Sequence, residues 1–132
     1  PCGNPAVVET PPRLSQGEPF PTFYYATCPR LTAAISTLES TGLMADMNER
    51  LAVDAELSGA YAAAHDDYLA ARAALQMDVP EVEGISAGGM PNRVKCLHSL
   101  VAHSLSAGPD VNPLGDEALS KLPDWWKEDP CE

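Results

Sequence analysis

DAELSGAYAAAHDDYLAARAAL, residues 54–75, decides the fold of this chain. Asp54 can cap a helix start, because its carboxylate accepts the free N–H groups of a first turn. Behind it Leu57, Tyr61, Ala64, Tyr68, Ala71 and Leu75 recur at alternating steps of four and three. That spacing puts one apolar seam along a long helix and predicts that the seam packs on a neighbour. Asp66, Asp67 and Arg72 fall off the seam and are expected on the surface, with His65 solvated beside Asp66.

A long helix with one apolar seam needs partners, and both flanks of the stretch supply them. Upstream, Leu43, Met47 and Leu51 predict a short helix. Before it, Leu31, Ile35 and Leu38 follow Pro29, a residue suited to a first helical position, with Thr27 or Cys28 as cap and Gly42 as the stop. Further back, Ala6 to Glu9 and Thr22 to Ala26 carry β-type residues (Val7, Val8; Phe23, Tyr24, Tyr25) and read as two antiparallel strands. Downstream, the Pro- and Gly-bearing stretch from Met77 to Met90 leads to Pro91, which predicts a helix running to Gly108. Gly115 to Leu122 predicts one more short helical piece before Trp125 and Trp126. The expected architecture is therefore α+β and mostly α, a small N-terminal two-stranded antiparallel element packed on four to five helices. A chain of 132 residues has room for one core, so a single domain over 1–132 is expected.

Nineteen acidic residues against eight basic ones give a net charge of -11, which opposes a nucleic-acid backbone and removes counterion release as a binding force. No nucleic-acid partner is expected. No apolar run approaches the roughly 20 residues of a spanning helix, so membrane insertion is not expected either. The acidic surface and the Trp125–Trp126 pair leave a protein partner open, although adjacent tryptophans also serve to close a domain's own core.

Three ordered strings carry a resemblance: CGNP at Cys2 to Pro5, PFPTFYYATCPRL at Pro19 to Leu31, and GGMPNRVKCLHSLVAH, at residues 88–103, continuing to Asn112-Pro113-Leu114-Gly115. Together they span nearly the whole chain and resemble the DUF501 family, small bacterial proteins well represented in actinobacteria, whose biochemical function is not established. In that family the gene is often found near enolase, a septum-formation initiator and an exopolyphosphatase-like enzyme. The resemblance implies a cytoplasmic housekeeping role. It also implies a cysteine–proline-like opening close to where this chain begins, which leaves room for a ligand before Pro1.

The four cysteines, Cys2, Cys28, Cys96 and Cys131, are all isolated. Cys28 directly precedes Pro29, at a helix start, where the dipole and free N–H groups favour thiolate. Cys96 would lie about a turn and a half into the helix begun by Pro91, with Arg93 and Lys95 beside it. No Asp or Glu occurs between Glu18 and Glu39 or between Glu83 and Asp110, and the two central cysteines occupy those gaps. Clearing carboxylates from both segments is what a site holding thiolates or another anion requires. The sharp expectation is a metal centre of Cys2, Cys28, Cys96 and Cys131 around an iron–sulfur cluster or Zn²⁺, in a non-catalytic or regulatory protein. The plainer one is that Cys28 and Cys96 are small buried hydrophobes and the outer two are terminal thiols. A disulfide between Cys2 and Cys131 ranks last for a cytoplasmic chain.

A second expectation is an anion site for a phosphate, nucleotide or carboxylate in the Gly84–Lys95 loop. Its residues are Ser86, Gly88, Gly89, Arg93 and Lys95, joined by Arg30 if the two cysteine segments meet. This is no Walker loop, because the Gly-Lys-Ser/Thr ending is absent, and such glycines also simply turn a chain. On a helix over 91–107, Cys96 and His103 share a face but lie roughly 10 Å apart along the axis, so one ion cannot easily take both. His98 falls on the stripe of Val94, Val101 and Leu105 and is expected in the core. His103 falls on the face of Ser99 and Ser106, where a polar partner or small molecule is expected. A nucleophilic Cys28 or Cys96 with His98 or His103 as base is a third class, recognisable only by approach in space.

Overall fold

The computed structural model describes residues 4–127. Strands β1 (Val7–Glu9) and β2 (Tyr24–Ala26) pair antiparallel, with Val7 opposite Ala26, Val8 opposite Tyr25 and Glu9 opposite Tyr24. Five helices follow: α1 Pro29–Glu39, α2 Leu43–Val53, α3 Ala55–Ala73, α4 Leu97–Ala107 and α5 Pro113–Ser120, with a single 3-10 turn at Pro80–Val82. This is the expected α+β, mostly α arrangement. No helix among the described residues is long and apolar enough to cross a membrane.

The stretch from Asp54 behaves largely as its spacing predicts. The Asp54 carboxylate accepts the Leu57 N–H at 3.1 Å, and Tyr61, Ala64 and Tyr68 are fully buried. The seam stops short of its predicted end, because α3 finishes at Ala73 and leaves Leu75 exposed. Arg72 departs from expectation: it is buried and donates to the carbonyls of Pro21 at 2.7 Å and Val82 at 2.8 Å. A guanidinium with five donors can enter a core when backbone acceptors meet it, and burial pulls its pKa below the ordinary value.

Helix α4 is the axle of the molecule. Leu97, Leu100, Val101, Ala102 and His103 are fully buried, and Ser99 and Ser104 are buried with them. A helix apolar on nearly every side must be surrounded, and α4 meets α5, β2, α1 and β1. At its closest crossing a Cβ on Gly115 of α5 would collide with the Leu100 carbonyl oxygen and the Ser104 hydroxyl, so only glycine lets the two backbones approach. The connected core draws on all seven elements, from Val7 of β1 to Ala118 of α5.

Two boundaries correct the sequence reading. The predicted helix over 91–107 begins only at Leu97, with Cys96 as an extended N-cap residue. Tertiary partners take the backbone groups that a first turn would have used. Asn48 of α2 holds both sides of Val94, accepting its N–H at 2.8 Å and donating to its carbonyl at 3.1 Å. Lys95 N–H goes to Gly88 O at 2.7 Å and Tyr61 donates to Arg93 O at 2.9 Å. Helix α5 starts two residues earlier than expected, because Asn112 caps it by accepting the Gly115 N–H at 2.9 Å and Pro113 follows as first helical residue.

Candidate functional site

The late start of α4 gathers chemistry at one corner. Cys96 has no side-chain cap bond of its own, so the free Leu97 N–H is taken from outside the helix, by Glu39 Oε2 of α1 at 2.7 Å. The same carboxylate oxygen lies 3.2 Å from His98 Nδ1. The other ring nitrogen, Nε2, lies 3.2 Å from the Thr32 carbonyl and 3.3 Å from the Ser36 hydroxyl, both on α1. Cys96 Sγ completes the corner. One ligand atom each from Glu39, Cys96 and His98 fall within 4.8 Å of one another.

The neutral ring can serve this corner in two ways. With its hydrogen on Nδ1 it donates to Glu39 while Nε2 accepts from the Ser36 hydroxyl. With its hydrogen on Nε2 it donates to the Thr32 carbonyl, and the Nδ1 lone pair faces the Glu39 carboxylate, where a metal ion would join the two. An Nε2–H held by a backbone carbonyl while Nδ1 points at other ligands is also how metal-binding histidines are oriented.

Two clefts meet here. One, of about 480 Å³, is walled by Phe20, Tyr24 and Tyr25 and reaches Cys96, His98 and Ser99. The other, of about 530 Å³, lies along the glycine loop and includes Arg93 and Lys95. Thr22, Cys96 and Ser99 line both.

The candidates named from sequence are only partly brought together. Cys28 is the N-cap of α1, 2% exposed and packed in the core. It stands at the opposite end of α1 from Glu39, about 16 Å along a helix of 11 residues. Among the described residues the group that forms around Cys96 takes in Glu39 and His98 and not Cys28, and Cys2 and Cys131 lie outside the described residues. Of the anion set, Ser86, Gly88, Gly89, Arg93 and Lys95 share the second cleft. Arg30, half-buried on α1, is not among its lining residues.

His98, expected in the core, is on the open corner with 28% of its side chain exposed, whereas His103 is fully buried and has its expected polar partners there. Both were placed by a helical wheel that takes no account of which neighbours pack on α4. Asn112 spends its Oδ1 on the Gly115 cap and turns its amide nitrogen to His103 Nδ1 at 3.2 Å, so Nδ1 accepts and Nε2–H donates to Asp67 at 2.8 Å. The ring stacks on Tyr24 and meets Tyr68 edge-on, and burial pushes both phenols above their ordinary pKa. His65 is not merely solvated either, since its Nδ1 lies 2.7 Å from Ser86 Oγ and ties α3 to the glycine loop.

Glu39 is the member of this candidate group that sequence reasoning missed. It bounds the first acid-free gap, so the signal was its position as the first carboxylate after Cys28. Asn112-Pro113 was likewise readable as a cap and first helical residue.

The sequence model of a family described as "Protein of unknown function (DUF501)" matches residues 1–120. The chain belongs to the DUF501 family. No curated protein and no solved structure matches it. The DUF501 match covers every residue of both clefts, from Phe20 to Ser99. What the site does must be argued from its own geometry.

Proposed function

We propose that this DUF501 chain binds a zinc ion through Glu39, Cys96 and His98, and that the ion fastens the end of α1 to the start of α4 in a non-catalytic, regulatory protein. The observation that carries the reading is the 3.2 Å approach of His98 Nδ1 to Glu39 Oε2 with a cysteine sulfur alongside. Zinc accepts sulfur, imidazole nitrogen and carboxylate oxygen together. Tetrahedral zinc sets such ligand atoms about 3.4–3.6 Å apart, a difference from the present spacing that side-chain rotation covers. Three protein ligands leave a fourth position, and the aromatic cleft beside Cys96 and His98 gives it access to a small molecule or water.

An iron–sulfur cluster suits these residues less well. Such clusters are held mainly by thiolates, and among the described residues only one cysteine, Cys96, joins the group, while Cys28 is buried at the start of α1. A hydrogen on Nδ1 is the competing occupant: the neutral ring then donates to Glu39, accepts from the Ser36 hydroxyl and takes up no metal.

Elemental analysis of purified full-length chain, followed by zinc titration of chelator-treated protein, tests the reading. One equivalent of zinc should bind and raise the melting temperature, and chelation should reverse the rise. Cys96→Ser and His98→Ala should each weaken binding by about tenfold or more, while Cys28→Ala leaves it intact. Melting that ignores both zinc and chelator sinks the zinc site, and loss of binding in Cys28→Ala would restore the four-cysteine centre. Visible absorbance in anaerobically purified protein would mark a cluster instead.

A further inference from the structure

The second cleft carries a different chemistry, which does not depend on the metal reading. Half of the eight cations of this acidic chain are spent in this way: Arg13 pairs with Glu81, Arg50 with Asp46 and Glu117, Lys127 with Asp124, and Arg72 is buried on carbonyls. Arg93 and Lys95 are exposed, and among the described residues neither pairs with a carboxylate. Both line the same cleft of about 530 Å³. The chain has nineteen acidic residues, and none of those among the described residues lines it.

Their backbone is fixed before any ligand arrives. Val94 between them is buried and held on both sides by Asn48, Arg93 N–H bonds Gly89 O at 3.0 Å, and Lys95 N–H bonds Gly88 O at 2.7 Å. Gly88 and Gly89 both take positive φ, +69° and +91°. A Cβ on Gly89 would lie 2.6 Å from Arg93 O and 2.9 Å from Lys95 Cγ, so the bare glycine is where the lysine stem rests. The remaining walls offer the Thr22 and Ser99 hydroxyls, the Asn92 amide and the apolar Pro21, Ile85 and Met90.

We infer that this cleft binds the phosphate group of a small phosphorylated molecule, with Arg93 and Lys95 on the phosphate oxygens and the apolar wall against its organic part. Two cations at a carboxylate-free wall match the double charge and several acceptor oxygens of a phosphate monoester better than a single carboxylate. The volume exceeds that of inorganic phosphate and falls in the range of small-molecule sites. The net charge of -11 still repels a long polyanion, so one phosphate, not a nucleic acid, is the ligand class.

The test titrates the full-length, metal-free chain with inorganic phosphate at constant ionic strength, with acetate as the carboxylate control, following amide NMR signals and melting. Phosphate at millimolar concentration should shift the signals of Gly88, Gly89, Arg93 and Lys95 and raise the melting temperature, with acetate doing neither. The double variant Arg93→Ala/Lys95→Ala, altered only at exposed side chains, should melt normally in chloride and bind phosphate about tenfold or more weakly. His98→Ala, which removes a proposed zinc ligand, should bind phosphate as before, so failure here and failure of the zinc reading are separate results. Unmoved signals, equal binding of acetate, or undiminished binding by the double variant would each overturn the inference.

Discussion

The start of α4 and its middle each present a histidine, His98 and His103, on the same eleven-residue helix, yet the two sit in opposite chemical worlds. At the start the backbone is extended, the cap comes from another helix, and the imidazole faces a carboxylate at a cleft mouth. In the middle every polar atom already has its complement, with Asp67, Asn112, Tyr24 and Tyr68 closed around the ring. A satisfied buried network fixes one arrangement of the core, whereas a partly exposed corner at a cleft mouth leaves its side chains within reach of a ligand. The middle of α4 is sealed and its beginning is open.

The sharpest blow to the sealed region is Gly115→Ala. The new methyl would meet the Leu100 backbone, which cannot swing away as a side chain can, so α5 must move off α4. A loss of about 3 kcal/mol is expected by denaturant unfolding, the upper end of ordinary overpacking. A loss under about 1 kcal/mol would mean that the two helices are not locked at this crossing.

Next in size is the direct comparison of the two histidines in metal-free protein. His103→Ala removes a fully buried ring, opens a cavity and leaves the Asn112 amide without its acceptor. The expected cost is about 2–4 kcal/mol. His98→Ala removes a partly exposed ring that contributes little packing, and should cost less than about 1 kcal/mol. Equal losses in the two variants would erase the distinction between the regions.

The distinction was only half legible in the sequence. The seam of Tyr61, Ala64 and Tyr68, the Asp54 cap, the Pro29 start and the Val7–Val8 and Tyr24–Tyr25 pairing are local signals, written in periodicity and in turn chemistry, and the structure follows them. The start of α4 is not local. Whether residues 91–96 coil or stay extended is decided by Asn48 and Tyr61, which lie far away in sequence, and which side of α4 is covered is decided by Tyr24, Tyr68 and Asn112, which close over His103 and leave His98 and Leu105 partly exposed. The two acid-free gaps mark the segments of Cys28 and Cys96 separately. They do not reveal that Glu39, at the edge of the first gap, folds against Leu97 and His98 in the second.

The smallest expected effect on stability separates the two tasks of that carboxylate. Glu39 caps α4 through Leu97 N–H and faces His98 Nδ1 with the same oxygen. A glutamine at 39 keeps a carbonyl oxygen for the cap, which can also accept from an Nδ1–H, and its amide N–H can donate to a bare Nδ1, so a neutral His98 keeps a hydrogen bond in either tautomer. In metal-free protein, Glu39→Gln should therefore change the unfolding free energy by no more than about 0.5 kcal/mol, in either direction, whereas Glu39→Ala gives up the cap and should cost about 1 kcal/mol. Zinc reverses the ranking of interest: the amide is a poor ligand beside the carboxylate, so Glu39→Gln should lose about tenfold or more in zinc affinity while remaining as stable as the parent. If Glu39→Gln instead unfolds readily without metal, the carboxylate charge is needed by the fold itself, and the corner at the start of α4 is as structural as the network at its middle.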